Sequence, residues 1–154
     1  MKISIIYDSL YGNTEKIAHT IKEELGKKNE VEVKKVTETK LEDMQGKDLV
    51  IIGSPTHRGR ASKAIQVLLN LIPKGFLKSI KVAVFDTSLA TYKKNFFMKG
   101  VMKFFGYSAP RMANTLKGRG AEIVSVQSFF VMSTKGPLQD DELERTKRWA
   151  KGLV

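Results

Sequence analysis

The change of hydrophobic period within the first 25 residues limits most strongly what this chain can fold into. The stretch Ile3–Ile6 is rich in β-branched residues, whereas apolar residues recur at helical spacing from Ile17 to Leu25. A buried strand therefore passes through a polar loop, residues 8–14, directly into a helix. Backbone N–H groups at a helix start favour anions, so this loop is a candidate phosphate site. The same residue types are also ordinary helix caps.

The composition of this loop narrows the class of anion. Ser9 and Thr14 enclose Gly12 and Asn13. The loop lacks the lysine and second glycine of nucleoside-triphosphate loops, and it lacks the G-x-G-x-x-G of dinucleotide folds. The pattern therefore favours a terminal phosphate monoester.

Strands and helices alternate along the rest of the chain. Residues 48–54, DLVIIGS, form a continuous apolar run, as a parallel strand buried on both faces requires. The other predicted elements are strands at 31–36, 81–85 and 123–132, and helices that begin near Ser62, near Ser108 and at Asp140 or Asp141, the last with Leu143 and Trp149 inward. Five strands without a hairpin signal predict one α/β domain over residues 1–154, with a parallel sheet covered by helices on both faces.

Three polar loops follow the first, third and fourth predicted strands. They are residues 8–14, 55–61 and 86–91. In open parallel sheets, ligands bind outside the carboxyl ends of the strands where the strand order reverses. We therefore expect these three loops to form one ligand site.

Three segments of the sequence resemble the flavodoxin family, and together the similarity spans nearly the whole chain. SLYGNTEKIA resembles the family's phosphate loop, GSPTHRGRA its second loop, and GPLQDDELERTKRWA the C-terminal helix of its short archaeal and bacterial members. The resemblance implies a flavodoxin-like three-layer sandwich with sheet order 2-1-3-4-5. It also implies binding of flavin mononucleotide (FMN) and one-electron transfer between partner proteins.

The resemblance also implies which residues bind the cofactor. Carried over by position, they are Ser9, Leu10, Tyr11, Gly12, Asn13 and Thr14 around the phosphate, Pro55, Thr56, His57, Arg58 and Gly59 beside the isoalloxazine ring, and Asp86, Thr87 and Ser88 in the third loop. Aromatic residues that commonly sandwich the ring are not evident, and His57 or Arg58 and Leu89 stand near the expected places.

Composition excludes several classes of chemistry. The chain has no cysteine and two histidines, which excludes disulfides, thiolate metal sites and a multi-histidine metal site. No acid, base or nucleophile set is evident, so we predict no catalytic residues and expect redox chemistry to come from a bound cofactor. Without a leader or a long apolar run, we expect a cytoplasmic monomer.

The formal net charge of +11 predicts attraction to anions, whereas familiar flavodoxins are acidic. We expect acidic redox partner proteins and no sequence-specific binding of nucleic acid. Residues 92–107 combine phenylalanines with lysines and could contact a membrane surface or a partner, although packing over the sheet is the favoured interpretation.

Two alternatives to an electron carrier stay open. Flavodoxin-like protoporphyrinogen oxidases are basic and carry an apolar, lysine-bearing insertion near residues 92–107, which makes an FMN-dependent reductase or oxidase of a quinone-type or protoporphyrinogen-type substrate the first alternative. The second is a flavin-free adaptor that uses the same fold for protein contact.

Overall fold

The computed structural model describes residues 1–89 and 106–154. The elements in these residues are strands β1 (Lys2–Tyr7), β2 (Glu30–Lys35), β3 (Leu49–Pro55), β4 (Lys81–Leu89) and β5 (Glu122–Val131), and helices α1 (Asn13–Leu25), α2 (Lys63–Leu71), α3 (Ser108–Gly118) and α4 (Glu142–Lys151). Two short 3-10 turns, Val36–Glu38 and Leu41–Met44, lie between β2 and β3. None of the helices in the described ranges has the length and apolar character needed to cross a membrane.

All five strands are parallel and follow the order β2-β1-β3-β4-β5. The predicted fold class and strand order are therefore confirmed. The order reverses between β1 and β3, because the chain leaves β1 towards one edge of the sheet and later continues from β3 towards the other. A ligand crevice is expected beside the carboxyl ends of these two strands.

The sheet separates two hydrophobic clusters, because successive residues of a strand point to opposite faces. On one face, the apolar sides of α1 and α4 pack on residues such as Ile51 and Phe85. On the other face, α2 and α3 pack on Ile52 and Val84. The result is a three-layer arrangement in which β3 is buried on both faces.

A close approach between β3 and β4 requires glycine at position 53. Gly53 pairs with Phe85 across the two strands. A Cβ atom at Gly53 would overlap the Phe85 ring. The ring therefore occupies the space that any other side chain at position 53 would need, and it packs edge to face against Phe129 and Trp149.

The C-terminal helix differs from the prediction in which side chains it buries. Leu143, predicted to face inward, is 42% exposed, whereas Glu142 is buried. The Glu142 carboxylate accepts a hydrogen bond from the Phe130 N–H at 2.8 Å and pairs with Arg145 at 2.6 Å, and this polar contact sets the helix rotation. Trp149 does face the core, as predicted.

The boundaries of two predicted loops also differ. Helix α1 begins at Asn13, so the first loop is residues 8–12. Strand β4 continues to Leu89, because residues 86–89 pair with Ser128–Val131 of β5, so the predicted third loop at 86–91 is strand as far as Leu89. Asp141 takes the position before α4, but its side chain makes no capping hydrogen bond. The segment predicted to dock, 92–107, lies outside the described residues except for its last two.

Candidate functional site

A cavity of about 450 Å³ opens at the carboxyl edge of the sheet. It brings together the ends of β1, β3, β4 and β5 at the point where the strand order reverses. The lining residues in the described ranges are Asp8, Ser9, Leu10, Tyr11, Asn13, Thr14, Pro55, Thr56, His57, Arg58, Ser62, Thr87, Leu89, Val131 and Thr134. Ten of the fourteen predicted site residues therefore line a single cavity. The four that do not are Gly12, Gly59, Asp86 and Ser88.

The first loop and the first turn of α1 present unpaired backbone donors to this cavity. Within the described residues, the N–H groups of Leu10, Tyr11, Asn13 and Thr14 have no hydrogen-bond acceptor, although Asn13 and Thr14 are buried residues. Gly12 has a φ of 84°, a conformation that glycine adopts without strain and that turns the chain into α1. Buried N–H groups are rarely left unpaired, so this loop is arranged for an acceptor from outside the chain.

Ser9 holds the loop in this shape from within. Its Oγ accepts hydrogen bonds from the N–H groups of Gly12 at 3.1 Å and Glu15 at 3.3 Å, while its own N–H donates to the Asp8 carboxylate at 2.9 Å. The hydroxyl therefore satisfies two donors at the start of α1 and leaves the others directed at the cavity. Its own proton remains available to an acceptor.

Two side chains of the first turn of α1 connect the loop to other elements. The Thr14 and Thr87 hydroxyl oxygens lie 2.7 Å apart, and both residues line the cavity. The Asn13 amide donates to the carbonyl of Lys135 at 3.2 Å. A Cβ at Gly136 would approach the Asn13 amide to 2.6 Å, so the close contact between these segments depends on glycine.

Lys135 places a positive charge beside the first loop. Its Nζ lies 6.0 Å from the centroid of the Tyr11 ring, and Tyr11 lines the cavity. Two carboxylates, Asp8 and Glu15, flank the same loop. Lys135 is therefore a cation near the unpaired N–H groups, and none of the sequence motifs indicated it.

The Glu15 carboxylate is held against the strands. The Tyr7 hydroxyl donates to its Oε1 at 2.7 Å, and the Lys35 Nζ lies at 3.9 Å. Burial and the bond to Glu15 raise the pKa of Tyr7 well above its usual range. The hydroxyl thus stays protonated and continues to donate to Glu15 across the accessible pH range.

The second loop forms a tight turn at the cavity mouth. His57 and Arg60 exchange backbone hydrogen bonds at 2.9 and 3.0 Å, and Arg58 and Gly59 between them have φ values of 49° and 74°. The turn leaves the His57 and Arg58 side chains exposed on the cavity rim. At its base, the Thr56 hydroxyl donates to the Ser108 Oγ at 2.8 Å and thereby ties the loop to the start of α3.

Asp86 and Ser88 point away from the cavity because β4 is a strand at these positions. Thr87 and Leu89 face the cavity, and the alternation of the strand turns their neighbours towards α3. The fully buried Asp86 carboxylate accepts from the Ala109 N–H at 2.7 Å and from the Ser88 hydroxyl at 3.0 Å. Burial raises the pKa of Asp86, and these hydrogen bonds act in the opposite direction. Both residues therefore anchor the first turn of α3.

The sequence motifs did not indicate the contribution of the end of β5 and of the segment that follows it. Val131 and Thr134 line the cavity, and Lys135 and Gly136 contact the first loop. A signal was present, because the strand that ends near Val131 is followed by a glycine-proline turn, and its carboxyl end must lie at the same sheet edge as the other three.

The cavity can accommodate a ligand with two different ends. Unpaired N–H groups, hydroxyls and Lys135 lie at the first loop, where they suit an anion. Leu10, Pro55, Leu89 and Val131 supply apolar surface elsewhere in the lining. This combination of a few directed polar groups with apolar walls is typical of small-molecule sites.

Comparison with known proteins identifies the same family as the sequence motifs. The chain matches the sequence model of the family described as "Flavodoxin domain" over residues 4–148. No curated protein matches it significantly.

Several solved structures share the fold over nearly the whole chain. Oxidised Flavodoxin 2 from Bacillus cereus is 27% identical with a TM-score of 0.74, and the match covers 98% of this chain and 96% of that one. A flavodoxin from the domain Archaea is 19% identical, with a TM-score of 0.74 and coverage of 99% and 96%. The two-electron reduced flavodoxin of Megasphaera elsdenii is 20% identical, with a TM-score of 0.71 and coverage of 97% and 98%.

Proposed function

The chain belongs to the flavodoxin domain family, and from this premise we propose that it binds FMN and carries single electrons between partner proteins. The main support is the set of four backbone N–H groups, at the cavity-lining residues 10, 11, 13 and 14, that have no acceptor within the described chain. FMN would supply the redox chemistry, since the flavin accepts and releases electrons, and the protein would position it and adjust its potential.

The donors of the first loop fit the phosphate group of FMN. A phosphate monoester offers oxygens that accept several hydrogen bonds, and the loop offers four N–H groups together with the hydroxyls of Ser9 and Thr14. Hydrogen bonds to a charged group contribute roughly 1.5 to 3 kcal/mol each. Lys135 adds an attractive charge 6.0 Å from the Tyr11 ring. The donor set therefore matches a dianion better than it matches a neutral group.

The remaining lining residues fit a flat, largely apolar ring. His57 and Arg58 would lie on one side of the isoalloxazine and Leu89 on another, with Pro55 and Val131 as apolar wall. The cavity, at about 450 Å³, lies within the usual size range of cofactor pockets. In this arrangement Thr56 would keep the second loop in place through its bond to Ser108.

An electron carrier also requires partners, and we assign it acidic ones. The formal charge of +11 favours anionic protein surfaces, and such association weakens as salt rises.

A binding experiment tests the cofactor assignment. The purified protein should take up FMN with the absorption spectrum of a bound flavin, and it should bind FMN more tightly than riboflavin, which lacks the phosphate. Failure to bind FMN would leave the flavin-free adaptor as the better description. Steady-state reduction of a quinone by a reduced nicotinamide would instead favour the reductase alternative.

A further inference from the structure

The positive charge of this protein comes from one continuous part of the sequence. Residues 55–121 contain 13 of the 27 lysine and arginine residues and one of the 16 acidic residues, which gives this stretch a net charge of +12. The other residues contain 14 basic and 15 acidic residues, a net charge of −1. The formal charge of +11 thus originates in residues 55–121.

In the fold, this stretch builds the second cavity loop, β4 and the helix layer of α2 and α3. Its single acidic residue, Asp86, is fully buried beneath α3. The described residues of α2 and α3 therefore expose no carboxylate, whereas Glu38, Glu42 and Asp43 belong to the 3-10 turns that pack on the same face of the sheet near β2. Residues 90–105 contain neither Asp nor Glu.

The layer of α1 and α4 differs because several of its charged side chains are paired. Every ion pair found among the described residues joins residues outside 55–121. Examples from this layer are Lys27 with Glu24 at 2.6 Å and Arg145 with Glu142 at 2.6 Å. Cations of the α2 and α3 layer are thus available to an external anion, whereas many on the other layer already have a partner.

A groove beside the cavity is lined by two of these cations. Arg60 and Arg111 line this groove, which lies between α2 and α3 and has a volume of about 160 Å³. We call it the arginine groove. Its floor includes Ser108, which is hydrogen-bonded to the cavity residue Thr56 at 2.8 Å, so the groove and the cavity are adjacent. In the described part of the chain, neither arginine forms an ion pair. Guanidinium groups bind carboxylates through two parallel hydrogen bonds, which gives such a groove directional selectivity.

We propose that an acidic protein docks over the arginine groove and the adjacent half of the cavity mouth, with carboxylates against Arg60 and Arg111. The inference rests on the proposed function, because a carrier must bring its cofactor close to the partner's redox centre. It adds the location of the partner site and the chemistry that recognises it.

The charges around the cavity favour a protein over a membrane or a nucleic acid. Asp8 lines the cavity on the α1 side, and the exposed Asp140 and Asp141 precede α4 at the same edge of the sheet. A broad, uniformly anionic surface that covered the mouth would meet these carboxylates and be repelled. A protein can instead present a confined acidic patch to Arg60 and Arg111 on the α2 and α3 side and avoid the Asp8 carboxylate, which favours one orientation of the partner.

Charge reversal with a matched control tests the proposal. The test variant is Arg60→Glu/Arg111→Glu, and the control is Lys22→Glu/Lys28→Glu, which makes the same change in net charge at two exposed lysines outside residues 55–121. The probe is a fluorescein-labelled poly-glutamate peptide, and binding is followed by fluorescence anisotropy at low ionic strength. We expect the test variant to weaken peptide binding by about tenfold or more and the control by less than about threefold.

Parallel titrations separate the competing explanations. Equal losses in the two variants would show that net charge alone matters and would overturn the proposal. So would a test variant that binds the peptide normally but loses binding to phosphatidylglycerol vesicles or duplex DNA. The hydrogen bonds between Arg60 and His57 involve only the backbone, so both variants should still bind FMN, and the flavin absorption of each variant verifies this before the peptide titration. A wild-type protein that binds no FMN would refute the carrier function, whereas the peptide result would still decide the location of the anionic partner.

Discussion

Replacing Thr14 by valine should selectively weaken the binding of FMN. Thr14 is buried in the first turn of α1, and its hydroxyl oxygen lies 2.7 Å from that of Thr87 at the cavity wall. One of the two hydroxyls must donate to the other, so the pair retains one free O–H donor for a ligand. Valine has nearly the same shape as threonine but has no hydroxyl. The substitution therefore removes one of the two O–H groups of the pair, and the remaining Thr87 hydroxyl loses the partner that orients it.

The size of the effect follows from the hydrogen bond that is lost. A bond from a hydroxyl to a charged phosphate contributes roughly 1.5 to 3 kcal/mol. This range corresponds to a loss of affinity of about 10-fold to 150-fold. Riboflavin has no phosphate, so its affinity should change by less than about threefold. The folded state should also lose about 1 kcal/mol of stability, because the neutral bond to Thr87 is removed.

Thr20 provides a matched control on the same helix. Its hydroxyl donates to the carbonyl of Lys16 at 2.8 Å, and the residue does not line the cavity. Thr20→Val should therefore change stability to a similar degree while leaving FMN binding intact. The measurements are calorimetric titrations with FMN and with riboflavin, together with thermal unfolding. If Thr14→Val lowers the affinities for FMN and riboflavin equally, or changes neither affinity, the phosphate does not bind at this loop.

Three further substitutions probe the charges of the site. Lys135→Gln should lower the affinity for FMN several-fold at low salt and much less at high salt. A loss of affinity that does not depend on salt would rule out an electrostatic role. Arg58→Glu should lower the midpoint potential of bound FMN by some tens of millivolts, because a nearby cation favours the reduced, anionic flavin; an unchanged potential in a redox titration would place Arg58 away from the ring. Since burial raises the pKa of Asp86, its ionisation makes the folded state less stable as pH rises above about 4. The stability of Asp86→Asn relative to wild type should therefore increase from acidic to neutral pH in urea unfolding, and a constant difference would contradict this account.

The sequence allowed the architecture to be predicted because its periodicities are strong. Residues 49–52 are apolar without interruption and begin the central strand β3, which is buried on both faces. Helix α2 begins after Ser62, as predicted, and the Ser62 hydroxyl accepts a hydrogen bond from the Ile65 N–H at 3.4 Å. Local signals of this kind depend only on residues that are close in sequence, so they can be recognised without knowledge of the fold.

Contacts between distant residues were harder to foresee. The polar character of Asp86 predicts a loop residue. Strand β5 is long enough, however, to pair with β4 beyond this position, and the Asp86 carboxylate accepts a hydrogen bond from the Ala109 N–H at the start of α3. Leu143 reads as a core residue, but the buried contact of Glu142 with Phe130 turns it towards solvent. In both cases a polar side chain is satisfied by a partner that lies far away in sequence or on another element.

The contact between Gly53 and Phe85 has a consequence for how this protein can change during evolution. The two positions share one volume in the interior, so a larger residue at position 53 can be accommodated only if position 85 becomes smaller. We expect Gly53→Ala to destabilise the fold strongly and Gly53→Ala/Phe85→Leu to recover part of the loss, which urea unfolding of both variants can measure. Related sequences with a larger residue at position 53 should accordingly carry a smaller one at position 85, and a lineage that enlarges residue 53 first must pass through a strongly destabilised intermediate.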